Sequence, residues 1–144
     1  MTETIAVAAD HGGYELKTVL LPELRALGFD VLDLGTNNST EPVDYPDYAN
    51  AVAAAIEAGK AQRGLLVCGT GIGVTMAANR HRFLRCALVN DVTTARLARQ
   101  HNNANVLALG GRTLGTEVAK DCVKTFFTTA FEGGRHARRV ALFS

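Results

Sequence analysis

Residues 64–79 read Gly64-Leu65-Leu66-Val67-Cys68-Gly69-Thr70-Gly71-Ile72-Gly73-Val74-Thr75-Met76-Ala77-Ala78-Asn79. An apolar run short enough for a buried strand ends on a cysteine. A glycine-rich turn follows, and a helical pattern begins at once. A strand that feeds a helix through so tight a turn is half of a βαβ unit. It sets the N–H groups of the turn at the positive end of a helix dipole. Anions are favoured there, a cysteine thiolate among them, so the stretch joins a nucleophilic sulfur to an anion cradle.

The same alternation runs outward in both directions. Strands are expected over residues 5–9, 29–34, 64–68, 85–89 and 106–109. Leu16, Val19, Leu20, Leu24 and Leu27 recur at helical spacing, and Gly28 closes that helix. Pro22 is an awkward guest within it, expected to kink or split it. Residues 35–47, with Asn37, Asn38, Pro42 and Pro46, read as a polar loop. Further helices are expected over 48–58, 74–79, 92–101 and 116–131, and a last one over 135–142 after the hinge Gly133-Gly134. In the helix over 92–101, Leu97 and Ala98 read as inward, and Arg96, Arg99 and Gln100 as outward.

Five apolar strands separated by helices define a three-layer Rossmann-like α/β domain: one domain over residues 1–144, with a five-stranded parallel sheet and a C-terminal helix. The expected strand order is 2-1-3-4-5. Ligands of such sheets sit beyond the strand ends where the order reverses, here between the first and third strands. Asp10-His11 and Cys68 would then share one crevice.

With 144 residues, 47% hydrophobic and 20% charged, the chain suits a single soluble domain with a core of its own. A net charge of +1 excludes a protein that coats nucleic acid. No apolar run is long enough to span a bilayer, so no membrane partner is expected. The first residues lack the basic-then-apolar pattern of a secretory signal, and the expected setting is cytoplasmic. Cys68, Cys86 and Cys122 are odd in number and scattered without CxxC or zinc spacing, so neither disulfides nor a structural metal is expected. Cys86 falls in a strand and Cys122 in a helix, and both read as core.

The glycine turn fits no common nucleotide motif. In a G-x-G-x-x-G frame, Val74 or Met76 fills the last slot, and the turn follows the third strand rather than the first. A Walker loop would need Gly-Lys-Ser/Thr, and a phosphatase loop an arginine where Val74 stands. Asp10 and His11 are helix caps or site residues. His101 and Asn102 have a plain reading as a helix stop, which residue type alone favours. Arg135, Arg138 and Arg139 share one helix face with His136 beside them, either a solvated basic face or a phosphate clamp. Arg112, after Gly110-Gly111, is a further clamp candidate.

Asp10-His11-Gly12-Gly13, Asp44-Tyr45-Pro46-Asp47, Cys68-Gly69-Thr70-Gly71-Ile72-Gly73, Ala77-Ala78-Asn79, His101-Asn102-Asn103-Ala104-Asn105 and Gly110-Gly111-Arg112 occur in this order over nearly the whole chain. The set resembles ribose-5-phosphate isomerase type B, whose wider family includes galactose-6-phosphate and allose-6-phosphate isomerases. The resemblance implies an aldose–ketose isomerase of D-ribose 5-phosphate and D-ribulose 5-phosphate, working through an enediolate without metal or cofactor. It implies Cys68 as the base at C2 and C1. The N–H groups of Gly69, Gly71, Ile72 and Gly73 would hold the enediolate oxygens, with Thr70 assisting proton handling. His101, aided by Asp10, would open the furanose ring. His11, Arg112, Arg135 and Arg139 would hold the phosphate, and Asn102 the sugar oxygens. The resemblance also implies that His101, Asn102 and Arg112 come from the partner subunit of a homodimer, with tetramers as a further assembly. Some members carry glutamate where this chain has Val74, so the pair Cys68 and Val74 resembles the cysteine-base subtype. Val89-Asn90-Asp91 departs from a histidine-containing version of that segment. The alternatives are an isomerase of a six-carbon or four-carbon sugar phosphate, or a non-catalytic module that binds a phosphosugar or a nucleotide.

Overall fold

The computed structural model describes residues 2–144. In chain order the elements are β1 (Thr4–Ala9), α1 (Tyr14–Ala26), β2 (Asp30–Asp33), α2 (Tyr45–Glu57), β3 (Arg63–Cys68), α3 (Ile72–Ala78), β4 (Cys86–Leu88), α4 (Val92–Gln100), β5 (Val106–Gly110), α5 (Thr116–Thr128) and α6 (Arg135–Ala141). The five strands form one sheet in the order β2-β1-β3-β5-β4, and every pairing is parallel.

Alternate residues of the strands feed two cores, as the period of two requires. Leu65, Val67, Leu107 and Leu109 face α1, α4 and α5, where Leu20, Ala95 and Phe126 meet them. Leu66, Cys68, Val106 and Ala108 face α2 and α3, where Val52, Val74 and Ala78 meet them. Cys68 therefore sits on the α2–α3 side, at the last position of its strand.

The order corrects the expected 2-1-3-4-5: β5 lies inside the sheet and β4 at its edge. Burial supplies the reason. All five residues of β5 are buried, which demands a neighbour on each side, whereas β4 has three residues and is partly exposed. The switch point between β1 and β3 is unchanged.

Other boundaries shift for local reasons. α1 runs unbroken through Pro22; Leu16, Leu20 and Leu24, all buried in one core, hold both of its halves on the same face of the sheet. α2 begins at Tyr45 rather than 48, because Pro46 suits a first helical turn. α5 ends at Thr128 rather than at 131.

Arg99 points inward, against its outward assignment. Its guanidinium donates to the Thr129 carbonyl at 3.1 Å, the Ala104 carbonyl at 2.6 Å and Asn103 Oδ1 at 3.0 Å. Chain ends rich in spare acceptors make a buried arginine affordable.

Lys17 is buried as well. Its ammonium donates to Asp33 Oδ1 at 2.7 Å and to the Thr36 carbonyl at 2.8 Å. The Gly35–Thr36 peptide is cis. Its two residues continue the pairing with β1, since Ala9 N–H donates to Gly35 O and Thr36 N–H to Ala9 O. These bonds anchor the loop that returns beside His11.

Cys86 and Cys122 are buried, as expected. Burial pushes the Cys86 thiol from 9.0 to about 12. It pushes Cys122 to about 11, with Asp91 and Asp121 adding to the rise. The folded state thus favours the neutral thiols. Their contribution is fully present below the ordinary thiol value of 9.0 and is lost as pH climbs toward about 12. Urea midpoints should hold up to that ordinary value and then decline, and the decline should be shallower in Cys86→Ala. An unchanged slope in that variant would remove Cys86 from the account.

Candidate active site

Parallel strands all end at one edge of the sheet, so the loops after β1, β3 and β5 gather there. Missing side chains let them interlock. A Cβ on Gly111 would stand 2.7 Å from the Gly12 carbonyl oxygen, and one on Gly12 would stand 3.2 Å from Gly69 Cα. Gly13 is pressed against the Val67 carbonyl. Gly111 N–H donates to Cys68 O and Arg112 N–H to Gly69 O, each at 2.8 Å. Asp10, His11, Cys68, the glycine turn and Arg112 are thereby brought together.

Cys68, at the base of the turn, is 5% exposed and packs with the α2–α3 core. Its Sγ accepts the Gly71 N–H at 3.1 Å. Gly71 caps α3 at φ 78°, a left-handed conformation that turns its amide back toward the sulfur. Ile72 N–H is taken by Thr70 Oγ1 at 3.1 Å. This narrows the expected cradle: Gly71 and Ile72 spend their amides locally. Among the described residues, those of Gly69, Thr70 and Gly73 remain free.

Asp10 caps the following turn, its Oδ1 accepting from Gly12 N–H at 2.9 Å and Gly13 N–H at 3.1 Å. His11 Nδ1 accepts the Val43 N–H at 3.2 Å, so the neutral ring carries its proton on Nε2. His11 and Arg112 line a cavity of about 240 Å³ together with Gly12, Glu15, Leu16, Ser39 and Gly111. The Arg112 guanidinium also lies over Gly69, 3.3 Å from where a Cβ would stand. Tyr45, the first residue of α2, lays its ring over Gly73, 2.6 Å from the place of a Cβ there. The sequence reading gave Tyr45 no role, although an aromatic at a helix start after a polar loop is a usable signal. Val74 is fully buried beneath the turn.

The remaining candidates lie elsewhere. Helices run back against the strands, so α4 ends at the edge where β5 begins. His101 caps that end of α4, and Asn102 follows. At about 3.3 Å per residue, β5 puts roughly 17 Å between this edge and the cradle. His101 stacks on His136 with ring centroids 4.3 Å apart, and Arg135 and Arg139 are exposed on the same helix, α6. Asn102 lines a separate groove of about 420 Å³ with Asn79, Arg85, Cys86 and Phe143, none of them a cradle residue.

One chain thus carries two half-sets. Asp10, His11, Cys68, Gly69, Thr70, Gly71, Ile72, Gly73 and Arg112 stand at one edge, and His101, Asn102, Arg135 and Arg139 at the other. Arg112, expected from a partner, lies over Gly69 of its own chain, because β5 pairs beside β3.

A sulfur at a strand end, a glycine turn with unpaired amides and a cavity lined by His11, Glu15 and Arg112 define a three-layer α/β protein equipped to handle a small polar ligand. Comparison with known proteins specifies it further. Residues 5–143 match the ribose/galactose isomerase family, and the chain belongs to that family. It is 43% identical to ribose-5-phosphate isomerase B of Escherichia coli over 136 residues, 94% of this chain and 91% of that one. The structure of a ribose 5-phosphate isomerase from Thermotoga maritima superposes with a TM-score of 0.94 at 48% identity, covering 99% of this chain and 98% of that one. The type B enzyme of Trypanosoma brucei superposes at 0.95 with 42% identity, covering 99% and 97%. Among the described residues, no helix is long and apolar enough to cross a membrane.

Proposed function

We propose that this chain interconverts D-ribose 5-phosphate and D-ribulose 5-phosphate through an enediolate, with Cys68 as the base, in sites completed by a second copy of the chain. The observation that supports the reading is the Cys68 sulfur held by the Gly71 N–H in a glycine turn that Gly12 and Arg112, both lining the His11–Arg112 cavity, overlie at Gly69. The sulfur, as thiolate, takes the C2 proton of the open-chain aldose. Charge then builds on the C1 oxygen, where the amides of Gly69, Thr70 and Gly73 are poised to meet it without reorganising. The O2 proton passes to O1, a transfer we assign to Thr70. The thiol returns its proton to C1, the ketose forms, and no atom or electron is left over.

His11 and Arg112 hold the phosphate at the cavity end, where a guanidinium fork matches phosphate oxygens. His101 opens the furanose ring, aided by Asp10, and Asn102 binds sugar oxygens. Because His101, Asn102, Arg135 and Arg139 lie across the sheet from the cradle, we assign them to the site of the partner subunit. Self-association is supported by the exposed Ile72 and Met76 beside the cradle and by exposed Phe143 at the opposite edge. The setting we propose is the cytoplasm, where phosphorylated sugars are made and retained.

A panel of pentose and hexose phosphates, assayed with chelator present, tests the reading. Ribose 5-phosphate should be turned over best. Binding of the panel without turnover would leave a phosphosugar-binding module instead. Arg112→Ala should lower kcat/KM for ribose 5-phosphate about 10- to 100-fold through loss of a charge-assisted contact, mainly in KM. Inhibition by unphosphorylated ribose should be unchanged, and equal KM values in parent and variant would remove Arg112 from the phosphate site.

A further inference from the structure

His101, Glu132 and His136 bring three potential ligand atoms within 4.8 Å of one another. Glu132 Oε1 lies 3.9 Å from His101 Nε2 and 3.7 Å from His136 Nε2. These distances are too long for hydrogen bonds. His136 is only 8% exposed, and its Nε2 is a buried side-chain nitrogen without a hydrogen-bond partner. A buried polar atom left unpaired in a native fold calls for an explanation. We propose that His101, Glu132 and His136 form a binding site for a divalent ion of the zinc class, and that the bound ion withdraws His101 from opening the sugar ring.

Closing a shell requires two movements, of the Glu132 carboxylate and of the His101 ring. Zinc bonds of about 2.0–2.1 Å in a tetrahedral shell set ligand atoms roughly 3.3 Å apart, so the carboxylate has a few tenths of an ångström to close. The two imidazoles are stacked, 14° from parallel. A shared ion requires the His101 ring to turn out of the stack, and its side chain, 40% exposed, has the room. Glu132 is 52% exposed, leaving an open side for water as a further ligand. The backbone beneath is held: Glu132 N–H donates to the Gln100 carbonyl and His136 N–H to the Gly133 carbonyl, both at 3.1 Å. Two imidazoles with one carboxylate favour zinc, copper or nickel over magnesium or calcium. Burial first, then the charges of His101, Arg135 and Arg139, push His136 below the ordinary imidazole value, with Glu132 opposing. The neutral ring, which is the ligating form, is thus favoured.

Binding stands on the geometry alone, whereas the inhibitory consequence rests on the isomerase reading. The full-length protein, stripped with chelator, is titrated with zinc against a chromophoric competitor, and with cobalt as a spectroscopic stand-in. A single ion per chain is expected, with a cobalt spectrum free of thiolate charge-transfer bands. Glu132→Gln and His136→Gln should each weaken zinc binding by at least about tenfold, with circular dichroism reporting the fold. Should His136→Gln fail to fold, the exposed Glu132→Gln decides. Cys68→Ala, altered at the other edge, should bind zinc as the parent does. Unchanged affinity in Glu132→Gln, thiolate bands, or loss of binding in Cys68→Ala would overturn the site. Zinc should also slow turnover of ribose 5-phosphate in the parent and do so only at higher concentration in Glu132→Gln. Glu132-dependent binding without inhibition would overturn the second half. A parent without any turnover would refute the isomerase reading and leave the zinc result standing.

Discussion

Cys68→Ala should abolish exchange of the ribose 5-phosphate C2 proton with solvent and lower kcat by about 10²- to 10⁴-fold, the usual worth of a positioned base. Thr70 Oγ1 already accepts from Ile72 N–H, Asp10 Oδ1 is spent on two amides, and the buried Val74 offers no acid or base. The substitution removes one buried atom from a core shared with Leu66, Ala8 and Val74. It should cost only about 1 kcal/mol of stability, so the variant remains folded. Deuterium incorporation at C2, followed by proton NMR with steady-state rates and thermal midpoints alongside, separates lost chemistry from lost structure. Exchange at the parent rate in a folded variant would eliminate Cys68 as the base.

The second large effect is a recovery. Cys68→Ala and His101→Ala chains should each be nearly inactive alone. Mixed and reassembled, they should regain roughly a quarter of parental turnover, because half of randomly formed two-fold dimers are mixed and each mixed dimer holds one intact site. This follows from the sheet, which holds the cradle at one edge and His101 at the other. Mass spectrometry establishes that mixed dimers are present. Their inactivity would refute the shared site, whereas full activity of His101→Ala alone would show that ring opening does not use His101.

The elements themselves were readable because each reports its own surroundings. Apolar runs, helical spacing and glycine stops locate strands and helices without knowledge of their neighbours. Adjacency between strands is a different kind of fact. The segments that become β4 and β5 are both short and apolar, and nothing local states which takes the interior. Only the complete burial of Val106–Gly110 in the folded chain does so. Arg99 misled because charge was read as exposure, while its partners are carbonyls 5 and 30 residues away. The cradle at Cys68 was legible because strand, turn and helix are contiguous. Which amides stay free was not, since that depends on where the Thr70 hydroxyl and the Gly71 N–H point.

Were the two half-sets joined across a pair of chains, activity would depend on dilution. Below the dissociation constant for pairing, specific activity would vanish while each chain kept its fold, a loss easily mistaken for denaturation. Open head-to-tail stacking would complete sites too, but would strand an unfinished one at each tip; a closed assembly leaves none open.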